Sequence, residues 1–389
     1  MSDAAKLLVG LRRPTAYTGR LRQPLRRRLR IMRLSPESCM RRRAAVATAS
    51  LALITSALAG CSGQGAAARS GASPGAVSSA ASGASKPGAA RTPTASSGVL
   101  FGGDAQLTGL PDLGRSPAIV RTYDTLDNAD AFPSADETRA LDSGATLLAS
   151  LGTGHDRDWA SIAAGKSDTA VLGFLRAVNN AATTHHLNAI YVSFNHEPNA
   201  KENEKKGSPA QFVSAWRHVR KLAADARLDV PNGGRLSWVW ILTANGFHQP
   251  GTPERYWPGA ENVDAVGVDG YVSGGCSKQA AGNYVNPSKT APKPGTVFDS
   301  ALTWSAAHAP GKPVFVPEWG SVPFTGADLR ASYIRAMTGY VTAHPQIAAV
   351  MYWNNHAHHD SCDYSLGGDP AAQRALAAMG RNAGFQAHP

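Results

Sequence analysis

The amino-acid sequence predicts an α/β fold, a single (β/α)8 barrel. Eight apolar runs of strand length follow one another from residue 99 onward, and most of them are separated by segments of helical character. Such alternation is typical of parallel βα architecture, and eight units in the 291 residues from 99 to 389 fit a closed barrel. A doubly wound sheet is the alternative, but the sequence has neither a G-x-G-x-x-G motif after the first strand nor a P-loop.

The predicted strands are short apolar runs that end at turn or polar residues. They cover residues 99–104, 118–124, 146–152, 189–195, 236–243, 263–272, 313–320 and 347–355. Helices are predicted over residues 168–184, 209–227, 328–343 and 370–383. The first of these helices carries Val171, Leu175 and Val178 on one face, which is the spacing of an amphipathic helix. The segment between the first two strands is too short, and too interrupted by proline and glycine, for a full helix.

Residues 1–60 form an N-terminal leader that is expected to direct export. The stretch MRRRAAVATASLALITSALAGC, from Met40 to Cys61, places three arginines before a short apolar run and small residues. This order is that of a secretory signal peptide, and translation is expected to begin at Met40. The apolar run is shorter than the ~20 residues that span a bilayer.

The end of this leader, Leu-Ala-Gly-Cys, resembles the lipobox of bacterial lipoproteins. The resemblance implies cleavage before Cys61 and attachment of lipid to that cysteine. We therefore expect an exported protein on the extracytoplasmic face of the cell membrane, which it contacts through a lipid anchor only.

Residues 61–98 consist, after the cysteine, almost entirely of Ala, Ser, Gly and Pro. This composition cannot bury enough apolar area to offset chain entropy, so the segment is predicted to be a flexible linker to one domain, 99–389. That domain contains two cysteines, Cys276 and Cys362. In an exported protein an even pair predicts a disulfide, and two unrelated thiols are the alternative.

The net charge of +11 does not indicate a nucleic-acid partner. Residues 1–43 hold 13 of the 39 Lys and Arg residues and 2 of the 28 Asp and Glu residues, so the rest of the chain carries 26 charges of each sign. The basicity therefore belongs to the leader, and composition gives the domain no basic face. We expect a monomer that binds no nucleic acid and needs no cofactor or metal.

Polar and aromatic residues gather at the carboxyl ends of the predicted strands, where barrel enzymes place their active sites. One glutamate at such an end has a structural explanation as a turn residue. Two of them, Glu197 after the fourth strand and Glu318 in the seventh, fit the paired carboxyl groups of glycoside hydrolysis. The predicted substrate contacts around them are Asn195, His196, Trp240, Asn245, Asp269, Tyr271, Trp319 and Trp353.

These motifs resemble glycoside hydrolase family 26 over residues 100–365, in the stretches NHEPN, YWPGAENVDAVGVDGYV and KPVFVPEWG. The resemblance implies a retaining (β/α)8 enzyme with Glu197 as acid/base and Glu318 as nucleophile. It also implies that Tyr271 contacts the nucleophile and that Trp353 lies under the sugar at the cleavage point. The family implies endo-cleavage of a β-linked polysaccharide, most often β-1,4-mannan.

Some alternatives remain open from the sequence. A non-catalytic polysaccharide-binding lipoprotein on the same barrel is the competing hypothesis. For Trp240, which alternates with Trp238 along one strand, core packing and substrate contact agree equally well with the pattern. Tyr123, near the end of the second strand, is assigned to packing. The histidines and aspartates of HAHHDSCD (356–363) are interpreted as a solvated loop rather than a metal site.

Overall fold

The structure, a computed structural model, describes residues 98–105, 110, 112–276, 284–356 and 362–389. Within them, eight parallel strands close into a barrel in their order along the chain. The strands are β1 (Leu100–Asp104), β2 (Ile119–Thr125), β3 (Thr146–Gly152), β4 (Ile190–Phe194), β5 (Leu236–Thr243), β6 (Ala265–Val272), β7 (Val314–Ser321) and β8 (Ile347–Tyr352). The predicted (β/α)8 barrel is confirmed, whereas Cys61 and the predicted leader lie outside the described residues.

Helices follow most strands and cover the outside of the barrel. They are α1 (Ala135–Asp142), α2 (Trp159–Ala163), α3 (Asp168–Thr184), α4 (Pro209–Asp225), α5 (Ala244–His248), α6 (Thr252–Tyr256), α7 (Gly295–His308), α8 (Leu329–Ala343) and α9 (Pro370–Arg381). The four predicted helices are confirmed as α3, α4, α8 and α9. No helix in the described part of the chain is long and apolar enough to cross a membrane.

Local sequence explains where the longer helices begin. Before α4, the Ser208 side chain accepts the backbone N–H of Gln211, and the Gln211 side chain accepts the backbone N–H of Ser208 at 2.7 Å. This reciprocal capping box satisfies two donors that a helix start leaves open. Pro209 in the first turn has no N–H to lose. The start of α4, and with it the length of the segment that follows β4, is therefore fixed.

Alternation along the strands divides the core into two layers. Val239 and Ile241 of β5 belong to the cluster inside the barrel, together with Phe315 of β7. Trp238 and Trp240 belong to the larger cluster between the strands and the helices. Since successive strand residues point to opposite faces, every strand contributes to both layers.

The pairing of β7 becomes irregular near its carboxyl end. Its register shifts against β6 between Gly267 and Gly270, and against β8 between Val316 and Trp319. Such irregularities often re-aim side chains beside active sites. Here the shift falls on the segment that carries Glu318.

Candidate active site

The chain leaves β4 through a left-handed turn that positions Glu197. Asn195 and Glu197 have φ angles of 46° and 50°, a conformation that is uncommon for residues other than glycine. The neighbouring strands hold this turn in place. The N–H of Asn195 donates to the carbonyl of Leu151 at 2.9 Å, and the N–H of Glu197 donates to the carbonyl of Ile241 at 3.1 Å. The turn therefore aims Glu197 from a backbone tied to both β3 and β5.

Glu318 lies opposite, almost fully buried, and its carboxylate accepts two phenolic hydrogen bonds. The hydroxyl of Tyr123 donates to Oε1 at 2.8 Å, and the hydroxyl of Tyr271 donates to Oε2. The guanidinium of Arg121 approaches Oε1 at 3.4 Å, and Nε2 of His196 lies 4.0 Å from the same oxygen. Both carboxylate oxygens are thus held in fixed directions.

The two glutamates have opposite shifts in pKa. Burial, and then the nearby charge of Glu318, raise the pKa of Glu197 to about 8. Burial would also raise the pKa of Glu318, but the charge of Arg121 and the hydrogen bonds from the tyrosines outweigh it and lower that pKa. At neutral pH one carboxyl is therefore protonated and the other ionised, which is the condition for a pair that divides acid and nucleophile roles.

Arg121 and Tyr123 are site residues that the sequence analysis missed. Arg121 is fully buried and donates to Ser150 Oγ at 2.8 Å and to the carbonyl of Leu148 at 3.2 Å. Its guanidinium lies over the Tyr123 ring, 4.5 Å from the centroid. The assignment of Tyr123 to packing is wrong, since the residue is 43% exposed and its hydroxyl binds Glu318. The signal available in the sequence was a charged residue, Arg121, directly after the apolar pair that begins β2.

His196 is adjacent to both glutamates: it directly precedes Glu197 in the sequence, and its Nε2 lies 4.0 Å from Oε1 of Glu318. Its ring is 5.4 Å from that of Tyr123. Burial, and then the charge of Arg121, lower its pKa to about 4. The imidazole is therefore neutral at pH 7 and presents one donor and one acceptor nitrogen, which suits sugar hydroxyls.

Aromatic rings form one wall beside Glu318. The Tyr271 and Trp353 rings meet edge to face with centroids 5.8 Å apart, and Trp353 remains half-exposed. Cys276 and Cys362 form the predicted disulfide, with Cα atoms 5.1 Å apart, directly behind this wall. The bond joins the loops that follow β6 and β8.

Two predicted substrate contacts are corrected by the structure. Trp240 and Trp319 are fully buried in the outer layer of the core. The Trp240 indole donates to the carbonyl of Tyr256 at 3.0 Å, and the Trp319 ring packs against Tyr352 at 5.0 Å. Both side chains point from their strands towards the helices, so they pack the core and do not reach the cleft.

Asp269 and Asn245 occupy different environments near the site. Asp269 is 2% exposed in β6, and burial, followed by the charges of Glu318 and Glu197, raises its pKa well above the usual value. Its surroundings in β6 therefore favour the protonated form of this carboxyl group. Asn245 is exposed in α5, directly after β5 and on the same face.

No cluster of three or more metal-ligand side chains occurs among the described residues. His356 pairs with Asp363, with Nδ1 and Oδ1 3.4 Å apart. His358, His359 and Asp360 lie outside the described residues, so the interpretation of that loop stays a prediction.

Comparison with known proteins adds information on the fold. No family model matches this chain, and no curated protein matches it. Among solved structures, it is similar to a glycoside hydrolase family 26 endo-β-1,4-mannanase from Cellulomonas fimi, with a TM-score of 0.50 and 18% identity over 74% of each chain. It is also similar to the family 26 endo-β-1,4-mannanase of Bacillus sp. JAMB-750, with a TM-score of 0.50 and 16% identity over 76% of this chain and 89% of that one. At these identities, the barrel is what the chain shares with these proteins.

Proposed function

We propose that this protein is a retaining endo-β-glycosidase that hydrolyses a β-linked polysaccharide. The observation that carries the proposal is the pair formed by Glu197 and Glu318 at the ends of β4 and β7. One carboxyl has a raised pKa and the other a lowered pKa. A half-exposed tryptophan, a neutral histidine and two tyrosines around them match the apolar faces and the hydroxyls of sugars.

In the first step, the carboxylate of Glu318 attacks the anomeric carbon of the sugar at the cleavage point. A bond forms between that carbon and a carboxylate oxygen, while the bond to the glycosidic oxygen breaks. The electron pair of the broken bond stays on the glycosidic oxygen, which takes the proton of Glu197. The leaving chain departs as an alcohol, and a glycosyl ester remains on Glu318.

In the second step, water attacks the same anomeric carbon from the side that the leaving chain vacated. Glu197, now a carboxylate, accepts the proton of the water, and the ester bond to Glu318 breaks. Both glutamates return to their starting states. One water molecule is consumed, and two shorter chains are released with retained anomeric configuration.

The proposed substrate is a β-1,4-mannan. Two observations support it: the resemblance of NHEPN and KPVFVPEWG to family 26, and the similarity of the barrel to proteins described as endo-β-1,4-mannanases. The site residues themselves do not distinguish mannan from mixed-linkage glucan or β-1,3-xylan, so the assay must include all three.

The test is the release of reducing ends from these polysaccharides by the purified protein, compared with E318A. We expect new reducing ends from mannan, and no measurable turnover by the variant. E261A is the matched control, because Glu261 is an exposed carboxylate in the segment between α6 and β6. Wild-type activity in E318A would disprove the nucleophile role. Binding of a polymer without release would favour the non-catalytic polysaccharide-binding lipoprotein.

The proposed location is the extracytoplasmic face of the cell membrane, with the protein held there as a monomer by lipid on Cys61. The support is the order of charges, apolar residues and small residues from Met40 to Cys61. In cells that express C61S, we expect the protein to leave the membrane fraction. A wild-type protein that retains its leader would contradict the proposal.

A further inference from the structure

We propose that a basic pocket beside the catalytic cleft binds an anionic group on the polysaccharide, either a carboxylate or a sulfate. This inference rests on the proposed function and names the substrate class more closely. The pocket has a volume of about 510 Å3 and is lined by residues 155–158, 160 and 161 together with Lys166, Lys205 and Lys206. That volume is within the range of ligand sites.

The pocket opens on the catalytic face because it is formed by the loops that follow β3 and β4. Residues 155–158 belong to the first loop, and Lys205 and Lys206 belong to a 3-10 helix (Lys201–Lys206) in the second. The ammonium of Lys206 binds the carbonyl of Gly154 and so joins the two loops. One wall of the pocket is therefore set by a direct contact between these loops.

The same 3-10 helix contacts the turn that carries Glu197. The side-chain amide of Asn203 donates to the carbonyl of Glu197 at 2.9 Å and to that of His196 at 3.3 Å. Lys205 follows two residues later. A polysaccharide that extends across the barrel face from Glu197 towards β3 would therefore lie beside this 3-10 helix and its lysines.

Most of the carboxylates near the pocket are already engaged. Asp127 accepts hydrogen bonds from His155 and Arg157, and Asp158 accepts the backbone N–H of Ser161 at 2.7 Å. Asp156 and Asp158 are the carboxylates that line the pocket, and the hydrogen bond from the Ser161 N–H leaves the negative charge of Asp158 in place.

Among the described residues, the three lysines that line the pocket are not paired with carboxylates. Lys166, Lys205 and Lys206 form no ion pair with any residue that the structure describes. Lys166 and Lys205 are exposed, and their ammonium groups are free to meet a ligand. The pocket thus offers three ammonium groups against the two carboxylates of Asp156 and Asp158, a net charge of +1, which favours an anion.

The test compares one β-mannan in three forms: neutral, partly oxidised to carboxylate at C6, and partly sulfated. The double variant K166E/K205E reverses two charges of the pocket. K312E is the matched control, since Lys312 precedes β7 at the opposite face of the barrel. The quantity measured is the ratio of kcat/KM on an acidic form to kcat/KM on the neutral form.

For the wild type we expect a ratio above one that falls in 1 M salt, where screening shortens the range of charge interactions to about 3 Å. In K166E/K205E the ratio should fall about tenfold, since two charges that attract the anion become charges that repel it. K312E should keep the wild-type ratio. A preference for the carboxylated or the sulfated polymer identifies the anion.

Equal cleavage of neutral and acidic polymers by the wild type would overturn the basic pocket while leaving the proposed function intact. If no polymer is cleaved, the proposed function fails. Electrophoresis of the wild type in gels that contain each polymer then tests whether the pocket binds an anionic polysaccharide. Retardation by an acidic polymer that K166E/K205E loses would support it. Equal mobility in all gels would overturn it.

Discussion

Glu197 and Glu318 carry the same side chain, and their surroundings give them different chemical states. Glu197 has a pKa near 8, whereas Arg121, Tyr123 and Tyr271 hold the pKa of Glu318 below its usual value of 4.5. Glu197 therefore keeps its proton over most of the physiological range, and Glu318 stays ionised down to acidic pH.

This difference predicts the pH dependence of kcat/KM. Activity requires Glu197 protonated and Glu318 ionised, so we expect a plateau through neutral pH. As pH rises through about 8, Glu197 loses its proton and activity falls. The acidic limb should lie below pH 4.5, since Glu318 must be protonated to lose its role. A profile of kcat/KM against pH measures both limbs, and an alkaline limb below pH 6 would contradict the assignment of Glu197.

The tyrosines at Glu318 predict a second effect. In Y123F or Y271F, the carboxylate loses a hydrogen bond that favours its charged form, so the pKa of Glu318 rises and the acidic limb moves to higher pH. The loss in kcat/KM should therefore be larger at acidic pH, where more of Glu318 is protonated in the variant than in the wild type, than at neutral pH. Y340F is the control, because the Tyr340 hydroxyl binds Asp299 away from the site at 2.8 Å. An unmoved acidic limb in both site variants would exclude this role.

The sequence could predict part of this site. Glu197 follows one recognisable strand and Glu318 lies near the end of another, and both belong to sequence motifs, so the sequence predicts both. Arg121 and Tyr123 lie within β2, where no motif marks them, and their role depends on a carboxylate nearly 200 residues away. Alternation along β5 separates two faces without telling which face points inward, and this explains the error for Trp240.

At the scale of elements, the helices differ in how clearly the sequence predicts them. α3 has one continuous apolar face and was predicted with its observed bounds, Asp168–Thr184. α7 carries apolar residues around much of its circumference, so its period is weak in the sequence. α1 buries only Glu137, Ala140 and Leu141, and its clearest signal is the capping box of Ser134 with Glu137. Such helices are stabilised by tertiary contacts, and no amphipathic sequence pattern predicts them.

The contact between β2 and α1 contains a second pair of carboxyl groups. Asp124 is 8% exposed and Glu137 is 2% exposed. Burial, and then the charge of Glu137 and a hydrogen bond with it, raise the pKa of Asp124 to about 7. The folded protein therefore holds a proton at Asp124 that the unfolded chain releases near pH 4.

This pair predicts a pH-dependent stability. Because the folded pKa of Asp124 is raised, its contribution is fully present below about pH 4 and is lost as pH rises through about 7. An asparagine side chain stays neutral at every pH, so D124N should lack this dependence of stability on pH. The free energy of unfolding of D124N, relative to that of the wild type, should therefore rise between pH 4 and pH 7. Urea unfolding at several pH values measures the difference. D130N, at an exposed aspartate, should show no such trend, and a pH-independent difference for D124N would contradict the shared proton.

For the whole molecule, the barrel was predictable because its strands are short, apolar and regularly spaced along the chain. The ends of the strands were less predictable. The eighth strand was extended to residue 355, but β8 ends at Tyr352, and the chain then turns so that Asn354 accepts the N–H of Leu366 at 2.8 Å. No local sequence pattern predicts such contacts between a side chain and a distant loop. They nevertheless determine where Trp353 lies beside the cleft.

The disulfide between Cys276 and Cys362 ties together the two loops that carry this wall of the cleft. It closes a segment of 86 residues, and a loop of that length is worth about 4–5 kcal/mol in the chain-entropy model. In the double variant C276S/C362S we therefore expect a lower free energy of unfolding. We also expect a lower kcat/KM, because Tyr271 and Trp353 pack on the same cluster as the cysteines. Dithiothreitol should destabilise the wild type to the level of the variant and leave the variant unchanged. Equal stability of the two proteins before reduction would mean that the bond constrains neither the chain nor the cleft.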